Sequence, residues 1–170
     1  PISASSVRAD IPAIRAAMGD HPAALAVDAI ASLGCEEMRM DDWGIDVLVS
    51  ASQKGLMVPP GLAFVWFSDK VAAGRGAATP YWDWTPRAKA AELWQFWGGT
   101  PPVQQIYALD EALRMILDEE GLFAVWARHA ALARAVAALA RPGVGIVHVG
   151  EDPDEAIAAA SGVQRRAAAI

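Results

Sequence analysis

Three short apolar runs that do not alternate with polar residues constrain the fold most: Ala24–Val27 (ALAV), Ile45–Val49 (IDVLV) and Gly61–Phe67 (GLAFVWF). A strand with one wetted face alternates apolar and polar side chains, whereas a continuous run suits a strand covered by helices on both faces. Each run has a clear boundary. ALAV ends at Asp28, IDVLV follows the turn Asp41-Asp42-Trp43-Gly44, and GLAFVWF lies between Pro59-Pro60 and Ser68-Asp69. Helical stretches surround them. Asp10-Ile11-Pro12 reads as a capped helix start, with Ile14, Ala17 and Met18 on one face and Gly19-Asp20 as its stop. Ile106, Leu109, Leu113 and Ile116 follow helical spacing within Val103–Leu117, Gly121 breaks the pattern, and a second helix runs from Leu122 to about Ala140 before Arg141-Pro142-Gly143. Val144–Val149 reads as one more strand, and Gly74–Pro86 as irregular. The predicted class is α/β.

With 170 residues, 54% of them apolar, the chain has material for one well-buried domain. A net charge of −6 argues against a nucleic-acid partner, whose binding would rest on neutralising phosphates. Cys35 is the single cysteine, which excludes a disulfide framework and a thiolate metal cluster and fits a reducing cytoplasm. Charged residues interrupt every apolar run short of bilayer length, so no membrane span is expected. The opening Pro1-Ile2-Ser3-Ala4, without an initiator Met or a leader pattern, is expected to lie inside a longer reading frame.

The chemistry concentrates in SASQKGLMVPPG, Ser50–Gly61, where Lys54 is the sole charged residue. It follows IDVLV as Asp28 follows ALAV, and ligands of open α/β sheets collect beyond the carboxyl ends of strands. A lysine in apolar surroundings is more readily neutral, and a neutral amine forms Schiff bases with carbonyl compounds, pyridoxal phosphate among them. That cofactor also requires a carboxylate at its pyridine nitrogen. An aspartate and a lysine on neighbouring strand ends meet both demands. The same residues also fit a salt-bridging surface lysine and a helix-capping or turn aspartate.

VDAIASLG, MDDWGIDVLVSASQKGL, PPGLAF, YWDW and GTPPV, in this order, resemble the class V aminotransferases, and within them the serine–glyoxylate and alanine–glyoxylate branch. The resemblance covers roughly residues 7–140. It implies the large domain of a fold-type-I pyridoxal 5′-phosphate enzyme, a mostly parallel sheet covered by helices, incomplete at both ends. Residues 1–140 would belong to that domain with its long C-terminal helices, and 141–170 to the start of a small C-terminal domain or a divergent tail. Lys54 would be the Schiff-base lysine and proton carrier, Asp28 the partner of the pyridinium nitrogen, and Ile30 a packing residue against the ring. Gln53 would donate to the phosphate, and Thr100 would reach the phosphate held by a partner subunit, which implies a homodimer. The implied reaction transfers an amino group from serine, alanine or aspartate to glyoxylate or a related 2-oxo acid. A lyase, a pyridoxamine–pyruvate transaminase and a catalytically incompetent fragment are the alternatives.

Two departures stand beside the resemblance. Trp97 occupies a place where some relatives carry a phosphate-binding tyrosine, and an indole offers only one N–H. The family's phosphate loop, ring-stacking aromatic and carboxylate-binding arginine are expected outside this segment, since Arg165 and Arg166 lie in no matching context. The remaining candidates read as structure. Trp82, Trp84, Trp94 and Trp97 suit core, interface or site-rim packing. His21, His129 and His148 are too scattered for a metal site, and Gly74-Arg75-Gly76 is too short for a nucleotide loop. The pairs Glu36-Glu37 and Asp41-Asp42 read as solvated loop charge.

Overall fold

The computed structural model describes residues 8–74 and 79–139. The strand expected at Val144–Val149 and the whole segment 141–170 lie outside the described residues.

Helix α1 (Ile11–Met18) begins where Asp10 Oδ1 accepts the Ala13 N–H at 3.0 Å, and Pro12 sits in its first turn. It ends at Gly19, whose φ of 51° suits glycine. Strands β1 (Ala26–Asp28), β2 (Val47–Ala51) and β3 (Ala63–Phe67) form one sheet in the order β1-β2-β3. β1 and β2 run parallel, with Asp28 opposite Val49. β3 returns antiparallel, with Ala51 opposite Ala63. The sheet is therefore mixed. A parallel neighbour needs a crossover of a dozen residues or more, usually helical, and the segment 52–62 instead folds back as a broad hairpin loop. The apolar runs located all three strands, each shifted by up to two residues.

Side chains alternate across a sheet. Val27, Leu48 and Ser50 lie buried on one face, which on β3 opens outward through the half-buried Phe64 to the exposed Trp66. Asp28, Val47, Val49 and Val65 lie on the other face and stay exposed or half-exposed. Among the described residues the sheet is covered on one face, where both were expected to be. Two apolar clusters provide that cover. Leu25, Val27, Ala29, Ile45 and Leu48 pack with Ile11 and Met18 of α1 and with Met38, Met40 and Trp43.

Short helices α2 (Asp69–Ala72) and α3 (Thr85–Ala88) follow β3. Helix α4 (Val103–Arg114) passes into a wider turn of π-helix, Met115–Glu120, and Gly121 at φ 83° breaks the rod before α5 (Leu122–Leu139). In the second cluster Ile116 and Val125 from this helical pair enclose Leu56, with Leu33, Phe64, Leu109, Leu113 and Leu122 around them. Leu56 lies two residues beyond Lys54. The helical pair thereby clamps the loop that carries the lysine. No helix among the described residues is long and apolar enough to cross a membrane.

Candidate active site

The parallel pairing of β1 and β2 delivers Asp28 and the Lys54 loop to the same edge of the sheet. Asp28 is the last residue of β1, and its Oδ1 accepts the Ile30 N–H at 2.9 Å. Oδ2 has no donor among the described residues. The chain beyond it is tied to β2 by Ala29 N–H to Val49 O at 2.8 Å and by Ser50 Oγ to Ala29 O at 3.4 Å. Asp28 is exposed and Ile30 half-buried.

The two loops that leave this edge meet backbone to backbone. Gly34 holds φ at 84°, and a Cβ on it would lie 3.0 Å from the carbonyl carbon and oxygen of Gly55. A Cβ on Gly55 would lie 2.3 Å from the Leu33 carbonyl oxygen and 2.8 Å from Cys35 Sγ. Only glycine permits such an approach. The contact gives the pairing of ASLG with SQKGL a physical meaning: it fixes the turn after Asp28 against the residue after Lys54. Cys35 completes the seam, and burial, then the neighbouring Glu36, push its thiol above the ordinary range.

Gln53 and Lys54 are exposed, and Lys54 makes no ion pair or side-chain hydrogen bond among the described residues. The apolar surroundings expected for the lysine belong instead to its neighbours Leu56 and Val58, which are buried. An unengaged amine and a carboxylate with one oxygen unengaged, on adjacent strand ends, match the demands of pyridoxal phosphate on this donor set. Thr100 and Trp97 lie elsewhere in the chain's course, in the bends between the 3₁₀ turn Leu93–Phe96 and α4; Thr100 is exposed and Trp97 half-buried. No hydrogen bond among the described residues ties either to the Asp28–Lys54 edge. A groove of about 750 Å³ runs along β1 and the first turn of α1, lined by Arg8, Ile11, Asp28, Ser32 and Trp43 among others. It touches Asp28 and not Lys54. The chemistry, rather than the size of this groove, locates the site. No group of three His, Cys, Asp or Glu among the described residues is placed to hold a metal ion.

One ionic residue went unread in the sequence because it stands inside IDVLV. Asp46 is 6% exposed at the opposite end of β2. It accepts from the Leu25 N–H at 2.8 Å and from Ser68 Oγ at 3.1 Å, with Arg15 at 3.6 Å and Lys70 at 3.5 Å. The Leu25 N–H, then the Ser68 hydroxyl and the Lys70 ammonium, hold this carboxyl below its ordinary range against the opposing effect of desolvation. The visible signal was a carboxylate where a buried strand begins. Asp46 is structural; it joins α1, β1, β2 and α2.

The profile of the family described as aminotransferase class-V matches residues 3–161. Serine–glyoxylate aminotransferase of Arabidopsis thaliana is 38% identical over 138 residues, a stretch that covers 78% of this chain and 34% of that protein. L-aspartate–glyoxylate aminotransferase of Paracoccus denitrificans (strain Pd 1222) is 42% identical over 140 residues, 80% of this chain and 35% of the relative. Among solved structures, alanine–glyoxylate aminotransferase from Nostoc sp. superposes with a TM-score of 0.67 at 28% identity, covering 78% of this chain and 36% of that one. The chain thus spans about a third of the length of the curated relatives it matches.

Proposed function

Because the chain belongs to the class V aminotransferase family and has its fold-type-I architecture, we propose that the protein of which it forms part transfers an amino group from a small amino acid to glyoxylate or a related 2-oxo acid. The observation that carries this reading is the shared edge: parallel strands bring an aspartate with one oxygen unengaged and a lysine unengaged, among the described residues, to one end of the sheet. Residues 1–140 belong in this reading to the cofactor-binding large domain, and 141–170 to the start of the small domain or a divergent tail.

Pyridoxal 5′-phosphate, when bound, supplies an electron sink for charge developing at the substrate's α-carbon. The chain's own residues do the rest. Lys54 provides the amine that holds the cofactor through its aldehyde carbon. Once free of that bond, the Lys54 amine would be the base that takes the substrate's α-proton and carries it. Asp28 keeps a proton on the ring nitrogen with the oxygen that the Ile30 N–H does not occupy; that N–H fixes the carboxylate's rotation. Ile30 packs against the ring, Gln53 donates to the phosphate, and Thr100 donates to the phosphate in a partner subunit of a homodimer.

The test is absorption spectroscopy of the full-length protein with added pyridoxal phosphate, followed by borohydride reduction and peptide mapping. The expected result is a visible band and a reduced adduct on Lys54, with keto acid formed only when a 2-oxo acid acceptor is supplied. A colourless protein with unmodified Lys54 rejects the reading.

A further inference from the structure

We propose that Ser52 is a positioning residue for Lys54: its hydroxyl replaces its own carbonyl in the β2–β3 ladder, and this exchange sets the shape of the lysine's loop. The inference rests on the reading of Lys54 given above.

Ala51 opposite Ala63 is the last regular pair of the sheet. One step further, the Ser52 N–H donates to Leu62 O at 3.1 Å. In a regular antiparallel ladder such a pair exchanges both bonds, so the Leu62 N–H would return to Ser52 O. Here it goes to Ser52 Oγ, at 3.3 Å. The hydroxyl proton in turn goes to Pro59 O at 2.8 Å. The carbonyl released from the ladder accepts the Val58 N–H at 3.0 Å. Three points of the loop therefore converge on one side chain and its backbone, at a residue that is 0% exposed.

Lys54 lies in the short span that this exchange closes. Val58 is drawn back onto Ser52, so residues 53–57 must turn within that distance; the Met57 N–H reaches Lys54 O at 2.9 Å, and Met57 takes a φ of 59°. A non-glycine residue rarely adopts that conformation unless its surroundings enforce it. Alanine at position 52 would leave the buried Leu62 N–H without its partner and release Pro59 O, whose bond is part-buried. The carbonyl of residue 52 would then be drawn back toward Leu62, releasing Val58 and with it the turn that holds Lys54.

The experiment uses the full-length protein freed of cofactor. Pyridoxal phosphate is added, the product is trapped with borohydride, and its rate of incorporation at Lys54 is measured by peptide mapping. Ser52→Ala is expected to slow incorporation about tenfold, and Ser52→Thr, which keeps the hydroxyl, to restore the rate. Ser68→Ala is the control. It removes a hydroxyl bond from the other end of the strand, Ser68 Oγ to Asp46 Oδ1, and should lower the melting temperature without changing the rate at Lys54. A wild-type rate in Ser52→Ala, or an equal loss in Ser68→Ala, overturns the role of Ser52 while leaving that of Lys54 intact. Failure of the wild-type protein to take up the cofactor at Lys54 overturns both. Should Ser52→Ala yield no folded protein, amide exchange in the wild type decides. Protected Val58 and Leu62 amides support the exchange of acceptors, and exchange at open-loop rates rejects it.

Discussion

The two ends of the parallel β1–β2 pair carry charge in opposite ways. At the amino end Asp46 is buried and saturated, with an amide, a hydroxyl, a guanidinium and an ammonium around one carboxylate. At the carboxyl end Asp28 and Lys54 are exposed and underused, one oxygen and one amine left without partners among the described residues. A charged group that holds a fold together needs its valences filled, since an unpaired buried charge is costly. A group that must take up a ligand needs a valence left open. The difference between the ends is a difference in hydrogen-bonding capacity left unfilled among the described residues, and it separates Asp46 from the two residues proposed to carry the chemistry.

The comparison breaks first at Lys54. In the full-length enzyme Lys54→Ala should lower transamination by about 10³-fold or more and leave the melting temperature close to wild type; near-normal turnover would remove the lysine from the chemistry. Asp46→Ala should do the reverse. We expect a loss of about 3 kcal/mol of stability, because the Leu25 N–H and two cations lose their acceptor. Denaturant titration checks this, and per-molecule activity of the folded fraction should stay near wild type. Asp28→Asn comes next, with turnover reduced about 50-fold, the worth of one charge-assisted hydrogen bond, at nearly unchanged stability. Gly55→Ala joins the two ends in one readout: the added methyl meets the Leu33 carbonyl, which should cost about 2 kcal/mol and also slow cofactor uptake.

The smallest effect is one of pH. The folded-state pKa of Asp46 is depressed, so the unfolded chain binds its proton more readily. Its stabilisation is therefore fully present above the ordinary carboxylate pKa of about 4 and is lost as pH falls through the lower folded value. Acid titration of Asp46→Asn should show a shallower loss of stability below about pH 4 than the wild type. Parallel curves would show that another carboxylate governs the acid limb.

Much of this was legible in the sequence, for reasons that are local. ALAV, IDVLV and GLAFVWF announced strands because burial of consecutive side chains leaves few other short solutions. Asp28 and Lys54 were legible because each stands just after such a run. The direction of β3 was not, since GLAFVWF reads alike in either orientation and the loop before it decides. Asp46 was hidden because its partners lie 21 positions upstream and 22 downstream, at Leu25 and Ser68. Ser52 was hidden for a different reason. A serine before QK looks like any small loop residue until the acceptor of the Leu62 amide is known.

The seam between Gly34 and Gly55 has a consequence for how such a protein can change. Its tightest contacts are main chain on main chain, Gly34 on the Gly55 carbonyl and Gly55 on the Leu33 carbonyl, with the Cys35 side chain beside them, so no change of rotamer relieves an added atom there. A substitution at either glycine must displace a whole loop, and each loop ends in a group assigned to the cofactor. The separation between acid and amine is thus stored as a distance between two backbones. Drift in the surrounding side chains leaves that distance untouched, whereas one methyl group at the seam alters it.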